Sequence, residues 1–133
     1  MKIADIEGVG PKYAEKLAHA GIRSVQALLV KGATTKGRKE IAATSGIGET
    51  LILEWVNLAD LYRIKGIGSE YSDLLEEAGV DTVAELANRV PENLFNKMQE
   101  VNKAKNLVNK LPGAKQVANW VAQAKKLPKV VTY

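Results

Sequence analysis

Apolar residues recur along this chain at spacings of three and four, in short runs closed by glycine. Tyr13, Leu17 and Ala20 mark one face of a helix over 11–20. Gly21 then stands where such a helix needs a left-handed residue to end. The arrangement returns 58 residues later. Ile64, Gly66, Ile67, Gly68 and Tyr71 repeat Ile6, Gly8, Val9, Gly10 and Tyr13 at that offset. Leu75, Ala78-Gly79, Val83 and Leu86 then take the places of Leu17, Ala20-Gly21, Val25 and Leu28. Matched positions are apolar or glycine, and the changes fall on polar positions. One backbone used twice produces this pattern.

Turn and cap residues place the remaining elements. Ser24 and Thr82 are expected to cap the second helix of each half, and Thr82 with Glu85 has the spacing of a capping box. Thr34-Thr35 cap a helix over 36–43, and Pro91 opens another at a first-turn position. Gly46-Ile47-Gly48 forms a third glycine turn, leading into a helix over 49–62 with Leu51, Trp55, Leu58 and Tyr62 on one stripe. A fourth, degenerate turn at Leu111-Pro112-Gly113-Ala114-Lys115 leads into a helix over 114–127, with Lys115 standing where a last glycine is expected. The expectation is an all-α chain of about nine short helices with no sheet. Its halves, 1–62 and 63–129, meet without a linker and form one compact body. Residues from Pro128 onward read as extended, with 130–133 as a C-terminal tail.

Composition narrows the chemistry. There is no cysteine and a single histidine, His19, so cysteine-based metal sites, thiolate catalysis and histidine-ligated centres are not expected. Walker A, dinucleotide-fingerprint, His-x-x-x-His and nucleophile-elbow patterns are all missing. The reading is therefore a non-enzyme with no catalytic residue, no metal and no cofactor. No apolar run reaches membrane-spanning length, and Met1–Gly8 lacks the apolar core of a signal peptide, so no membrane partner is expected and the cytoplasm is the expected location.

Charge is uneven. Formal net charge is +4. Residues 63–92 carry three Lys/Arg against seven Asp/Glu, whereas 93–133 carry eight lysines against one glutamate. A second basic cluster is Lys31, Lys36, Arg38 and Lys39. A polyanion would meet these two regions and avoid the acidic middle. The same lysines also read as an ordinary solvated face, and arginine is scarce among them.

The spacing apolar-x-x-apolar-x-Gly-apolar-Gly occurs as Ile3, Ile6, Gly8-Val9-Gly10 and again as Leu61, Ile64, Gly66-Ile67-Gly68. With the Gly46–Gly48 and Gly113 turns, it resembles the tandem helix-hairpin-helix superfamily. Over nearly the whole chain the arrangement is most similar to an uncharacterised bacterial and archaeal family of stand-alone paired helix-hairpin-helix proteins. The resemblance implies two tandem pairs of modules in a SAM-like bundle. It also implies sequence-independent holding of DNA, or structured RNA, at glycine hairpins. The residues it marks are Gly8, Val9, Gly10, Lys12, Lys16, Lys36, Arg38, Lys39, Gly46, Gly48, Gly113 and Lys115. Physically, such a turn lets backbone approach a ligand and presents helix N–H groups to an anion. The alternative is a protein-interaction adaptor in which the hairpins only pack helices, and the acidic 69–85 surface or the Pro128–Tyr133 tail meets a protein partner. Ser69, Glu70, Asp73, Glu76 and Glu77 make the 66–68 hairpin an unfavourable phosphate site.

Overall fold

The structure is a computed structural model that describes all 133 residues. It is all-α: a 3-10 turn at Ile3–Asp5 precedes eight α-helices, and there is no strand. These helices are α1 (Gly10–His19), α2 (Val25–Gly32), α3 (Thr35–Ser45), α4 (Glu49–Leu61), α5 (Ser69–Glu77), α6 (Val83–Ala87), α7 (Pro91–Lys105) and α8 (Ala114–Lys126). The chain divides into two compact units. Unit 1 contains Met1–Asp60 together with Val130–Tyr133, and unit 2 contains Leu61–Lys129.

Local chemistry explains the ends of these helices. α1 stops in a Schellman motif: the Ile22 N–H donates to the Leu17 carbonyl at 2.9 Å and the Gly21 N–H to Ala18 at 3.0 Å. Gly21 supplies the left-handed residue, at φ 82°. Leu17 and Ile22 are both fully buried, which adds the apolar contact of that motif. α5 ends identically, with Val80 N–H on Leu75, Gly79 N–H on Glu76, and Gly79 at φ 93°. Ser24 Oγ accepts from Ala27 N–H and Thr34 Oγ1 from Gly37 N–H, each at 3.0 Å, so α2 and α3 begin at the expected caps. Thr35 is the first residue of α3 rather than a cap. Thr82 caps α6, but the Glu85 carboxylate reaches back one residue further than a capping box requires and accepts from Asp81 N–H at 3.2 Å. Pro91 opens α7 at its first position.

In unit 1, α2 and α1 pack on α3, and α1 also meets the 3-10 turn. Glycines allow the close approaches in this unit, Gly32 that of α2 to α4 and Gly37 that of α3 to α2. A Cβ on Gly32 would lie 2.5 Å from Val56 Cγ2, and one on Gly37 would lie 1.9 Å from the Lys31 carbonyl oxygen. In unit 2, α6 and α7 pack on α8 and α5 packs on α7. Leu74, Leu75, Val83, Leu86, Met98, Val117 and Trp120 lie in its core.

The fourth turn departs from expectation. α3 closes on Gly46, left-handed at φ 76°, and α4 begins three residues later. α7 instead closes on Asn106, left-handed at φ 50°, and a longer loop runs to Gly113, the N-cap of α8. Asn102 braces that loop with both ends of its amide: Nδ2 donates to the Val108 carbonyl and Oδ1 accepts from Val108 N–H. Gly113 thus takes the place of Gly48, 65 residues away, as Trp120 takes that of Trp55. Lys115 replaces no glycine; it is the second residue of a regular helix.

Asp81 gives unit 2 a pH-dependent contribution. Partial burial, with Glu85 beside it, raises its carboxyl above the ordinary value, against the pull of Arg89. The folded unit therefore holds this proton more tightly than the unfolded chain does. That stabilisation is complete below the ordinary carboxylate pKa and is lost as pH rises through the raised value. Asp81→Asn is expected to raise the melting temperature at neutral pH and to leave it unchanged below the ordinary carboxylate range. Thermal melts at the two pH values check this.

Candidate nucleic-acid interface

The first hairpin is built on a buried anchor. Val9 is buried, its N–H donates to the Ile6 carbonyl at 3.0 Å, and Gly8 and Gly10 flank it at φ 86° and 62°. Both angles lie in the region where side chains are strained. Beneath Gly8 lies Trp55: a Cβ on Gly8 would come 3.4 Å from the indole nitrogen. Tyr13, one turn into α1, meets the same indole with ring centroids 5.1 Å apart and planes tilted by 59°. The corresponding hairpin of unit 2 repeats this trio. A Cβ on Gly66 would lie 2.9 Å from Trp120 Nε1, and Tyr71 meets that ring at 5.3 Å and 54°. Tyr71 OH also donates to the Lys110 carbonyl. A glycine roof over a tryptophan, flanked by a tyrosine, thus fixes the first helix of each unit.

The two hairpins differ in what they present. α1 has no side-chain cap and no acidic residue in its first turn. Pro11 has no N–H and the Val9 N–H is taken, which leaves the Gly10 and Lys12 N–H groups without helical partners. Nothing lies within 4 Å of a Cβ placed on Gly10, so this end is open. Lys12 and Lys16 are exposed, and the Lys16 ammonium stands 5.7 Å from the centroid of the Tyr13 ring. α5 also lacks a cap, but carries Glu70 in its first turn, and Gly68 is not left-handed, at φ −108°. The macrodipole favours that glutamate, which in turn disfavours a phosphate at the same place.

The other marked residues are dispersed. Lys36 and Lys39 are exposed on the first turns of α3. Arg38 is not a surface residue: it is buried, and its guanidinium donates to the carbonyls of Gly32, Ala33 and Thr132 and to Thr35 Oγ1. It has no free donor face to offer a phosphate clamp. Gly46 closes α3, Ile47 is buried, and exposed Gly48 leads into a helix whose first turn carries Glu49. In unit 2, Gly113 and Lys115 are exposed at the start of α8, which lacks both a side-chain cap and a first-turn acid.

Sequence reasoning passed over one duplicated device. Lys31 Nζ donates to the Gly21 carbonyl at 3.3 Å, and Arg89 Nη2 to the Gly79 carbonyl at 2.6 Å. Each cation ties the end of the second helix to the glycine that ends the first. The signal was available, since Lys31 and Arg89 obey the same offset of 58 as the glycines. Open depressions lie beside both clamps, of about 320 Å³ next to Lys31 and about 410 Å³ next to Arg89. His19 is exposed, one helical turn from Glu15. No three His, Asp or Glu side chains converge to hold a metal ion, and no helix is long and apolar enough to cross a membrane.

Over residues 7–127 the chain matches the model of one family, described as a domain of unknown function (DUF4332). No curated protein and no solved structure matches it.

Proposed function

We propose that this chain, which belongs to the DUF4332 family of domains of unknown function, is a non-catalytic module that holds the sugar–phosphate backbone of DNA, or of structured RNA, without reading bases. The grip is a helix-hairpin-helix type of turn at Gly8-Val9-Gly10. One observation carries the reading. Of the eight α-helices, α2, α3 and α6 have side-chain caps, and α4, α5, α6 and α7 have a carboxylate in the first turn. Only α1 and α8 have neither, and α1 alone adds two left-handed glycines and two exposed lysines. An uncapped helix N-terminus with nearby cations suits an anion. Contacts of this kind position a backbone and carry no sequence information. Exposed Lys115 gives the uncapped N-terminus of α8 a cation of its own in unit 2.

The adaptor reading has less support. The 130–133 tail that would meet a partner is held by unit 1, with Val131 buried and Thr132 hydrogen-bonded to Ala33 and Arg38. On the acidic face, Glu77 is paired with Lys105.

The test is fluorescence anisotropy with mixed-sequence duplex and single-stranded DNA across a salt series. Micromolar binding is expected, falling with a log–log slope near −0.9 per phosphate contacted on duplex. Lys12→Glu with Lys16→Glu is expected to weaken binding at least about tenfold with no change in the thermal melt. Absence of binding at low salt, or full binding by the double variant, overturns the proposal.

A further inference from the structure

The depressions beside the Lys31 and Arg89 clamps are one hollow, built twice. Ala20 and Lys31 line the first, and their counterparts at the offset of 58, Ala78 and Arg89, line the second. The helix that follows each clamp closes it. Gly37 and Ile41, the third and seventh residues of α3, line the first. Asn93 and Lys97, the third and seventh residues of α7, line the second. A spacing of four puts each pair on one helix face. The repeated backbone keeps the hollow, and only its lining has changed.

The change is in charge. Unit 1 sets Lys31 against Glu40, so its hollow is neutral overall. In unit 2 both Arg89 and Lys97 line the hollow, and no carboxylate does. Asp81, the acid that feels Arg89, lies outside the lining. Arg89 is half-buried, and its bond to the Gly79 carbonyl through Nη2 holds the guanidinium in place. The side chains of Asn93 and Lys97 are exposed and make no hydrogen bond or ion pair within the chain. Val90, 58% exposed, supplies an apolar edge.

We propose that the hollow of unit 2 binds a phosphate monoester, with its dianionic group between Arg89 and Lys97 and its organic part against Val90. A monoester carries about −1.5 to −2 charges at pH 7, which answers two cations, whereas a carboxylate or a backbone diester carries one. The Arg89 fork matches phosphate oxygens, and the Asn93 amide adds a neutral donor. A volume of about 410 Å³ lies within the range of small-molecule sites and exceeds what phosphate alone would fill. This inference stands apart from the nucleic-acid reading, since none of its residues belongs to the Gly8–Gly10 hairpin or to α8.

The full chain is titrated with adenosine monophosphate and followed by its amide chemical shifts. Saturable shifts are expected at Ala78, Gly79 and 88–97, with a Kd at or below about 1 mM, and none around Lys31 and Gly37. Lys97→Ile restores the unit 1 residue at that place, and Asn93→Asp brings in a carboxylate. Each is expected to weaken binding at least about fivefold. Both side chains are exposed, so neither change is expected to lower the melting temperature. Adenosine and dimethyl phosphate, which lack the dianion, are expected not to bind. A free small molecule and the 5′ end of a nucleic-acid strand both carry this group, and a 5′-phosphorylated tetranucleotide separates them. Binding of adenosine monophosphate assigns the free molecule, and shifts over 88–97 from the tetranucleotide alone assign the strand end. Shifts from neither, equal shifts around Lys31, unchanged binding by the variants, or equal binding of dimethyl phosphate overturns the proposal.

Discussion

Gly37→Ala is expected to destabilise the chain by roughly 3–4 kcal/mol, at or above the upper end for an overpacked site. The added Cβ would sit 1.9 Å from the Lys31 carbonyl oxygen and 3.1 Å from the carbonyl carbon. Both are backbone atoms, so no rotamer change relieves the clash. α2 and α3 must separate, and the cap from Thr34 to the Gly37 N–H goes with them. A loss of this size is a large share of the stability of an ordinary domain. Gly113→Ala is the contrasting case. Gly113 sits at φ −71°, with nothing within 4 Å of its Cβ position. Any residue fits there, and the change is expected to stay within about 1 kcal/mol, the weaker cap offset by a less flexible unfolded chain. Urea unfolding followed by circular dichroism compares the two. Equal midpoints would mean that α2 and α3 do not approach as closely as described.

Trp120→Ala is expected to cost about 3–5 kcal/mol, the range for deleting a large buried aromatic side chain. Trp120 is 1% exposed. It joins three elements: it supports Gly66, pairs with Tyr71 at the start of α5, and belongs to the core formed by α5, α6, α7 and α8. Its loss opens a cavity and leaves the 66–68 hairpin without a floor. The measurement is the urea midpoint at unchanged slope, together with the near-ultraviolet circular dichroism of the aromatic pair. A shift worth less than about 1 kcal/mol would show that the indole is peripheral to the core.

Much of this fold is legible because it is local. The left-handed glycines at 21 and 79, the caps at Ser24, Thr34 and Thr82 and the proline that opens α7 each act within a few residues. The repeat then places them twice. The tryptophans read as core because they sit on apolar helical stripes, and they are core. Arg38 was illegible for the opposite reason. It lies in the run Lys36-Gly37-Arg38-Lys39, which reads as a charged surface, and its decisive partner, Thr132, is 94 residues away. A helical clue existed: Arg38 stands three residues before buried Ile41, on the same face. Lys115 was misread because the α7–α8 loop is longer than the α3–α4 turn, and an insertion shifts register without leaving a mark in the apolar pattern. Within the candidate site, the Val9 anchor and the flanking lysines were readable. The contrast between an open α1 and an acid-bearing α5 was readable from Glu70 alone. The glycine roof over Trp55 was not, since it joins positions 47 residues apart.

The tail has a consequence for how the molecule is made. Unit 2 is one uninterrupted stretch, Leu61–Lys129, whereas unit 1 is assembled from the segments on either side of it, Met1–Asp60 and Val130–Tyr133. A ribosome that emits this chain from its amino end releases α1 to α4 first. Arg38 then waits, one acceptor short, until Thr132 has been added. Synthesis therefore delivers the parts of the second unit in full before it delivers the last part of the first. The unit that emerges earliest is the one completed last.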